Sequence, residues 1–366
     1  MNVLLVEPNF PLAAKSKNHS NFLPIGLLKI AAFHRKEKDQ ISLHRGNYPA
    51  AFCPDEIKIT SLFTYWSRCV WDSVAFYKEL YPKAKIEVGG IYASLMPEHA
   101  KKSGCDTVYA GLYKDGAAEQ IDPAYDLVDV DYQIVHASRG CFRKCNFCGT
   151  WKIENNLIYK KSILSEVKKN RIIFYDNNLI ANPNIKNILI ELQKHTLPNG
   201  SKITCESQSG LDGRILAKNP ELARLLKNAR FKNPRIAWDG PYKLWPKIKE
   251  QLEILTSAGY RLEDMYVFMV FNHFLSYLDM KNKLDACRRW GIRVIDCRFR
   301  PLDLLSDGYN SRLMKQNNNE YYIHPNWTDK QVRAFRKAVR RQNIAILLGL
   351  PGNRYIEGVE RKFIKV

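Results

Sequence analysis

A chain of 366 residues, 45% of them hydrophobic, is long enough to bury the core of two domains or of one large one. Its 57 Lys and Arg against 37 Asp and Glu leave a formal charge of +20, which points to an anionic partner (nucleic acid, a phosphorylated metabolite, an acidic protein) or to a solubilising basic surface. No apolar run reaches ~18 residues, so no membrane-spanning helix is expected.

The opening MNVLLVEPNF lacks the basic lead and long apolar core of a signal peptide. Outside one cluster the cysteines are scattered (Cys53, Cys69, Cys105, Cys205, Cys287, Cys297) and suggest no paired framework. A cytoplasmic, reducing location is therefore expected.

In chain order, Asn2–Glu7 reads as a buried parallel strand ended by Pro8. Pro24–His34 has helical apolar spacing behind a proline. Ile41–His44 and Ile57–Leu62 read as strands, Val70–Tyr81 as a helix stopped by Pro82, and Ile86–Val88 as a strand running into Gly89-Gly90. A helix near Pro97–Lys102 and a strand at Thr107–Tyr109 complete the series. This alternation predicts a doubly wound, Rossmann-like α/β domain over 1–110, with ligands at the carboxyl ends of its strands. Residues 111–132 are polar and turn-rich and read as a linker.

The most informative stretch follows: Ser138-Arg139-Gly140-Cys141-Phe142-Arg143-Lys144-Cys145-Asn146-Phe147-Cys148-Gly149. Thiolates are soft ligands that suit zinc or iron–sulfur clusters. A structural zinc needs a fourth ligand nearby. The nearest imidazole, His136, precedes the loop, and no further cysteine follows until Cys205. The spacing favours a cluster with one open metal corner. C-x3-C-x2-C with an aromatic before the last cysteine resembles the signature of the radical S-adenosylmethionine superfamily. The resemblance implies that Cys141, Cys145 and Cys148 bind a 4Fe-4S cluster, with S-adenosylmethionine chelating the open iron and Phe147 packing at its adenine.

The first half is similar to the cobalamin-binding domain that precedes many such enzymes. The matching segments are Pro24-Ile25-Gly26-Leu27-Leu28, Ser61-Leu62-Phe63-Thr64 and Gly89-Gly90-Ile91-Tyr92-Ala93-Ser94. The resemblance implies that Gly89 and Gly90 admit a corrin or its nucleotide tail and that Ser61 and Ser94 contact the tail. The cobalt-ligating D-x-H-x-x-G motif is absent, and Asn9–Ser20 offers no acid–His pair in its place. Two readings therefore stand: bound cobalamin, or a packing turn in a domain that only shapes the substrate site.

From 133 to 300 the pattern lengthens into β-α units. Strands are expected at Ile134–Ala137, Ile172–Tyr175, Ile203–Glu206, Arg235–Trp238, Met265–Phe271 and Val294–Phe299. Helices are expected at Ser162–Lys169, Asn184–His195, Asp212–Asn228, Lys243–Ala258 and Leu278–Trp290. Six such units match the partial (βα)6 TIM-type barrel of the radical S-adenosylmethionine family, whose chemistry sits at the carboxyl strand ends.

Those ends supply the candidates. Asp176, Asn177 and Asn178 stand where relatives bind the cofactor's amino group, although here amides replace glycines. Glu206 and Gln208 offer acceptors for ribose hydroxyls, and Arg214 a partner for the methionine carboxylate. Asp239 ends the fourth strand beside Trp238 as a polar contact to substrate or cofactor, and His273, after the fifth, is a candidate for proton transfer. On the sixth strand Arg298 and Arg300 share one face and are candidates for an anionic substrate, while Cys297 takes the other face. Structural roles stand beside each of these: turn asparagines, a helix-surface arginine, a core histidine, surface ion pairs.

The C-terminal extension, 301–366, reads as an extended cap followed by a helix. Thr328-Asp329-Lys330-Gln331 forms a capping box, Val332, Phe335 and Val339 an apolar stripe, and Arg333, Arg336, Lys337, Arg340 and Arg341 a basic face.

The resemblance implies reduction of the cluster by flavodoxin or ferredoxin, cleavage of S-adenosylmethionine to a 5′-deoxyadenosyl radical, and hydrogen abstraction from a substrate, with methyl transfer if cobalamin is bound. The rival readings are a radical enzyme that modifies RNA and a non-enzymatic nucleic-acid-binding protein with a structural metal loop.

Overall fold

The computed structural model describes residues 1–11, 23–154 and 156–350. Most of Asn9–Ser20, and the chain after Leu350, lie outside the described residues. The chain divides into two compact units. One is Met1–Ile134 with Gly140–Leu157 and Pro301–Asp307; the other is Val135–Arg139, Ile158–Arg300 and the chain from Gly308.

The first unit is built on a parallel sheet of β1 (Asn2–Glu7), β2 (Gln40–Arg45), β3 (Glu56–Ser61), β4 (Lys85–Gly90) and β5 (Thr107–Val108), in the order β2-β1-β3-β4-β5. Leu5 of β1 is in register with Leu43 and Lys58, and Ile59 of β3 with Val88. Alternation along β1 sends Leu4 and Val6 to one face and Val3 and Leu5 to the other. Helix α1 (Ile25–Lys36) covers the second face with Leu27, Ala31 and Ala32. Helices α2 (Ser67–Leu80), α3 (Ile91–Leu95) and α4 (Pro97–Lys101) cover the first with Val70, Val74, Tyr77, Tyr92 and Ala100. Helices cover both faces, as the doubly wound expectation requires, and the interior strand β1 is a continuous apolar run.

The segment 111–132 groups with this unit. Lys29 of α1 makes a buried ion pair with Glu119, Arg35 makes a bidentate one with Asp126 at 2.7 Å, and Ala124 N donates to Leu28 O at 3.0 Å. Its charges read as those of a solvated connector, yet two of them, Glu119 and Asp126, pair with α1. Residues 140–157 also group here, including a single-turn helix, α5 (Thr150–Ile153), packed against α3.

The second unit is α/β with parallel sheets. The chain enters through β6 (Gln133–Val135), whose Val135 O accepts from Tyr175 N at 3.1 Å. Next come β7 (Ser138–Arg139) and β8 (Ile158–Tyr159), a short antiparallel pair that sequence reading missed. The parallel strands are β9 (Arg171–Phe174), β10 (Thr204–Ser207), β11 (Phe231–Lys232), β12 (Arg235–Ala237), β13 (Tyr266–Phe271) and β14 (Arg293–Arg298). They form two sheets, β11-β10-β9-β6 and β12-β13-β14, linked by a bridge between Leu211 and Ile236. Asn233, at φ +50°, and Pro234, which lacks an N–H, split one stretch into β11 and β12, one half pairing with β10 and the other with β13.

The helices are α6 (Ile185–Lys194), α7 (Gly213–Lys218), α8 (Glu221–Asn228), α9 (Trp245–Ser257), α10 (Tyr277–Arg289) and α11 (Asp329–Leu347). The single helix expected over Asp212–Asn228 is two, because Pro220 breaks the ladder. Ser162–Lys169 holds only a short turn at Leu164–Glu166, since so few residues seldom sustain a helix. The capping box at Thr328 is present, and Val332, Phe335 and Val339 are buried beneath α11. Among the described residues no helix is long and apolar enough to cross a membrane.

Candidate cofactor site

The cysteine loop begins at Gly140 because that backbone, at φ +79°, suits only glycine; a Cβ there would lie 2.6 Å from Asn156 O. Gly140 N donates to Glu154 Oε2 at 2.5 Å, tying the start of the loop to its return. Cys148 N donates to Cys145 O at 3.1 Å, and Trp151 Nε1 to the same carbonyl at 3.0 Å, so Cys145 and Cys148 flank a tight turn. Arg143 N donates to Cys141 Sγ at 3.4 Å. Cys148 Sγ is 3.3 Å from Thr150 Oγ1. The three cysteines and Phe147 are half-buried, while Phe142 is exposed beneath the Arg143 guanidinium, 4.6 Å away.

All nine cysteines are thiols. The donor set fits an iron–sulfur cluster in kind: three soft ligands, half-exposed, on one loop that also carries Arg143, Lys144 and Lys152 and closes on Glu154. It is not drawn together, for among the described residues no three His, Cys, Asp or Glu side chains are gathered to hold a metal.

In the second unit Asp176 is fully buried. Its carboxylate accepts from Ser138 Oγ at 2.6 Å and from Ala137 N at 3.1 Å. Burial pushes its pKa up to about 6 against these hydrogen bonds and the charge of Arg139. The oxygens expected to meet the cofactor's ammonium are thus engaged with backbone and side chain. Asn177 follows in the same turn; Asn178 is buried, with Nδ2 3.4 Å from Asp212 Oδ2.

Glu206 is ion-paired with Arg235, which also donates to Ser207 O, so this acceptor is committed to a neighbouring strand. Gln208 N donates to Phe174 O at 2.9 Å, holding the strand end. Arg214 is well exposed and turns back on Asp212, the N-cap of its own helix, at 2.9 Å.

Asp239 is half-buried, with its carboxyl raised by burial and held back by Lys283 and Arg214. His273 is buried among Phe274, Phe299 and His324, its pKa lowered by desolvation and by His324. Arg298 stacks over Tyr309 and Tyr321 and donates to Tyr322 O, so it belongs to an aromatic packing cluster.

One face of β12-β13-β14 is incompletely covered. Ala237, Phe268 and Ile295 are in register across it, as are Val270 and Cys297. Their partners on the opposite face, Ile236, Val267, Met269, Phe271 and Val294, are buried in the helical core. The result is an apolar, half-open wall ending at Asp239 and Cys297.

In the first unit Ser61 Oγ donates to Gly89 O at 2.7 Å and accepts from Ala93 N at 3.0 Å. Ser94 Oγ donates to Gly90 O at 2.7 Å and accepts from Gly111 N at 2.9 Å. Gly90, at φ +96°, is pressed against Ser61, whose N lies 2.9 Å from where a Cβ would be. Both hydroxyls and Gly90 serve the fold, which supports the packing-turn reading of Gly89-Gly90.

Sequence reading missed Ser138, Asn182, Asp212 and Lys283. Only Lys283 left a signal: it falls on the helical face that also carries Met280, Leu284 and Cys287, a core position.

Compared with protein-family models and with curated proteins, the chain matches none.

Proposed function

We propose that the chain is a radical S-adenosylmethionine enzyme whose 4Fe-4S cluster is held by Cys141, Cys145 and Cys148. The observation that carries the reading is the C-x3-C-x2-C loop leaving a short strand and followed by successive parallel β-α units. In this reading β6, β9, β10, β12, β13 and β14 are the six strands expected of a partial (βα)6 barrel. When bound, such a cluster delivers the electron that splits S-adenosylmethionine into methionine and a 5′-deoxyadenosyl radical.

The chain supplies the rest. Arg143, Lys144 and Lys152 offset the negative charge of three thiolates. The apolar wall of Ala237, Phe268, Val270 and Ile295 keeps water from a reactive carbon radical. Asp239 at its rim, its pKa raised by burial, accepts or returns a proton to substrate. Phe147 packs on adenine in this reading. Reduction comes from a flavodoxin- or ferredoxin-type donor. Reconstitution with hydroxocobalamin, read by visible absorption, tests the alternative that the first unit binds cobalamin and directs methyl transfer.

The test of the main reading is 5′-deoxyadenosine production by anaerobically reconstituted protein with dithionite. Wild type is expected to form it, and the triple Cys→Ala variant is not. The +20 charge supports a second reading in which the substrate is RNA; tight binding to transfer RNA that weakens steeply with salt would favour it.

A further inference from the structure

We propose that Asp176 and Asn182 are positioning residues that clamp both legs of the cysteine-bearing segment at its root. The purpose rests on the cofactor reading above; the clamp itself rests on geometry. The incoming leg is Ala137–Arg139 and the outgoing leg Ile158–Lys160. They pair as Ser138 with Tyr159 and Arg139 with Ile158, and Lys160 N donates to Ala137 O at 3.0 Å.

Asn182 is 1% exposed, and its Nδ2 reaches both legs, donating to Ala137 O at 2.8 Å and Lys160 O at 3.1 Å. Its Oδ1 accepts from Asn184 N at 2.8 Å, which fixes the amide's orientation. Asp176 holds the incoming leg from the other side through Ala137 N and Ser138 Oγ. Side chains therefore fix both the N–H and the C=O of Ala137, four residues before Cys141.

Apolar groups in the same space would leave the Ala137 N–H without this acceptor, so the two polar side chains both stabilise the legs and fix their geometry. A buried acid and a buried amide spent on three backbone groups and one hydroxyl specify where the legs lie. That matters when three donors on the intervening loop must meet one cluster, because small errors in a supporting shell weaken a site. Closing the legs beforehand also removes most of the loop-closure entropy from cluster assembly.

The test uses the full chain, prepared anaerobically, as Asn182→Ala and Asp176→Asn, with Asn184→Ala as control because that side chain reaches only the outgoing leg, at 3.3 Å. Hydrogen exchange is followed over residues 137–160 before reconstitution. Bound iron and the electron paramagnetic resonance of the reduced protein are measured after it. Both clamp variants are expected to exchange at least about tenfold faster over this segment alone, to bind less iron and to give a broadened resonance; the control should match wild type. If Asp176→Asn does not fold, Ser138→Ala removes the same 2.6 Å contact.

Unchanged exchange in the clamp variants overturns the clamp. Acceleration spread evenly over the unit, or faster local exchange with iron and resonance unaltered, overturns positioning. A wild type that takes up no iron defeats the cofactor reading and the positioning purpose with it, while the exchange result still decides whether the legs are clamped.

Discussion

Lys283, a lysine with no exposed surface, donates from Nζ to Trp238 O at 2.7 Å. It donates also to Gly240 O at 3.0 Å and lies 5.0 Å from the centre of the Trp238 ring. The residue between those two carbonyls is Asp239, so a helix lysine holds the turn that carries the proposed proton-transfer carboxyl.

Burial brings the Lys283 ammonium down to about 8 from 10.5. Between those values the unfolded chain binds a proton that the native state does not, so stability rises with pH across pH 8 to 10.5. The expected gain is about 3 kcal/mol. Urea denaturation of wild type against Lys283→Met at pH 7 and pH 10 checks it: the difference between the two proteins should shift with pH in wild type's favour. A constant difference contradicts a cation buried at this position.

Asp176 behaves in the opposite sense. Its pKa is raised from 3.8 to about 6, so between those values the native state holds a proton that the unfolded chain releases. Stability from this group is greatest at acid pH and falls as pH rises towards 6, by about 3 kcal/mol. Asp176→Asn should lose that dependence while keeping the rest of the acid profile, which thermal or urea unfolding at pH 4, 5, 6 and 7 would show.

Gly90 and Gly89 should respond differently to alanine. Gly90 sits at φ +96° against the Ser61 backbone, whereas a Cβ at Gly89 meets nothing closer than Tyr109 O at 3.7 Å. Gly90→Ala is expected to cost about 2–4 kcal/mol and Gly89→Ala under about 1 kcal/mol. Calorimetry of the two variants separates them. Equal tolerance would mean that Gly90 is not required for packing.

Much of the fold was legible because a parallel strand covered on both faces is a continuous apolar run, as in NVLLVE, and because YVFMVF is apolar throughout although one of its faces is half-open. The breaks were harder to see. The two-residue strand β11, Phe231–Lys232, left no apolar run to find ahead of Asn233-Pro234, and Pro220 divides a helix whose apolar spacing continues past it. The segment 111–132 misled for a different reason: Glu119 looks solvated in sequence but is buried against Lys29 of a distant helix, and Asp126, though exposed, pairs with Arg35 of the same helix. At the site, the cysteine spacing announces itself within eight residues. Asp176 does not, because Asp-Asn-Asn after a strand is ordinary turn chemistry, and only the folded chain shows that its carboxylate is spent on Ala137 and Ser138.

The most direct measurement is metal and sulfide analysis of the anaerobically reconstituted protein, with the resonance spectrum of the dithionite-reduced form recorded before and after S-adenosylmethionine. The account predicts about four iron and four sulfide per chain, lost on replacing Cys141, Cys145 and Cys148, and a spectrum that shifts when S-adenosylmethionine is added. One tightly held zinc and no iron, or a cluster whose spectrum ignores S-adenosylmethionine, would contradict it.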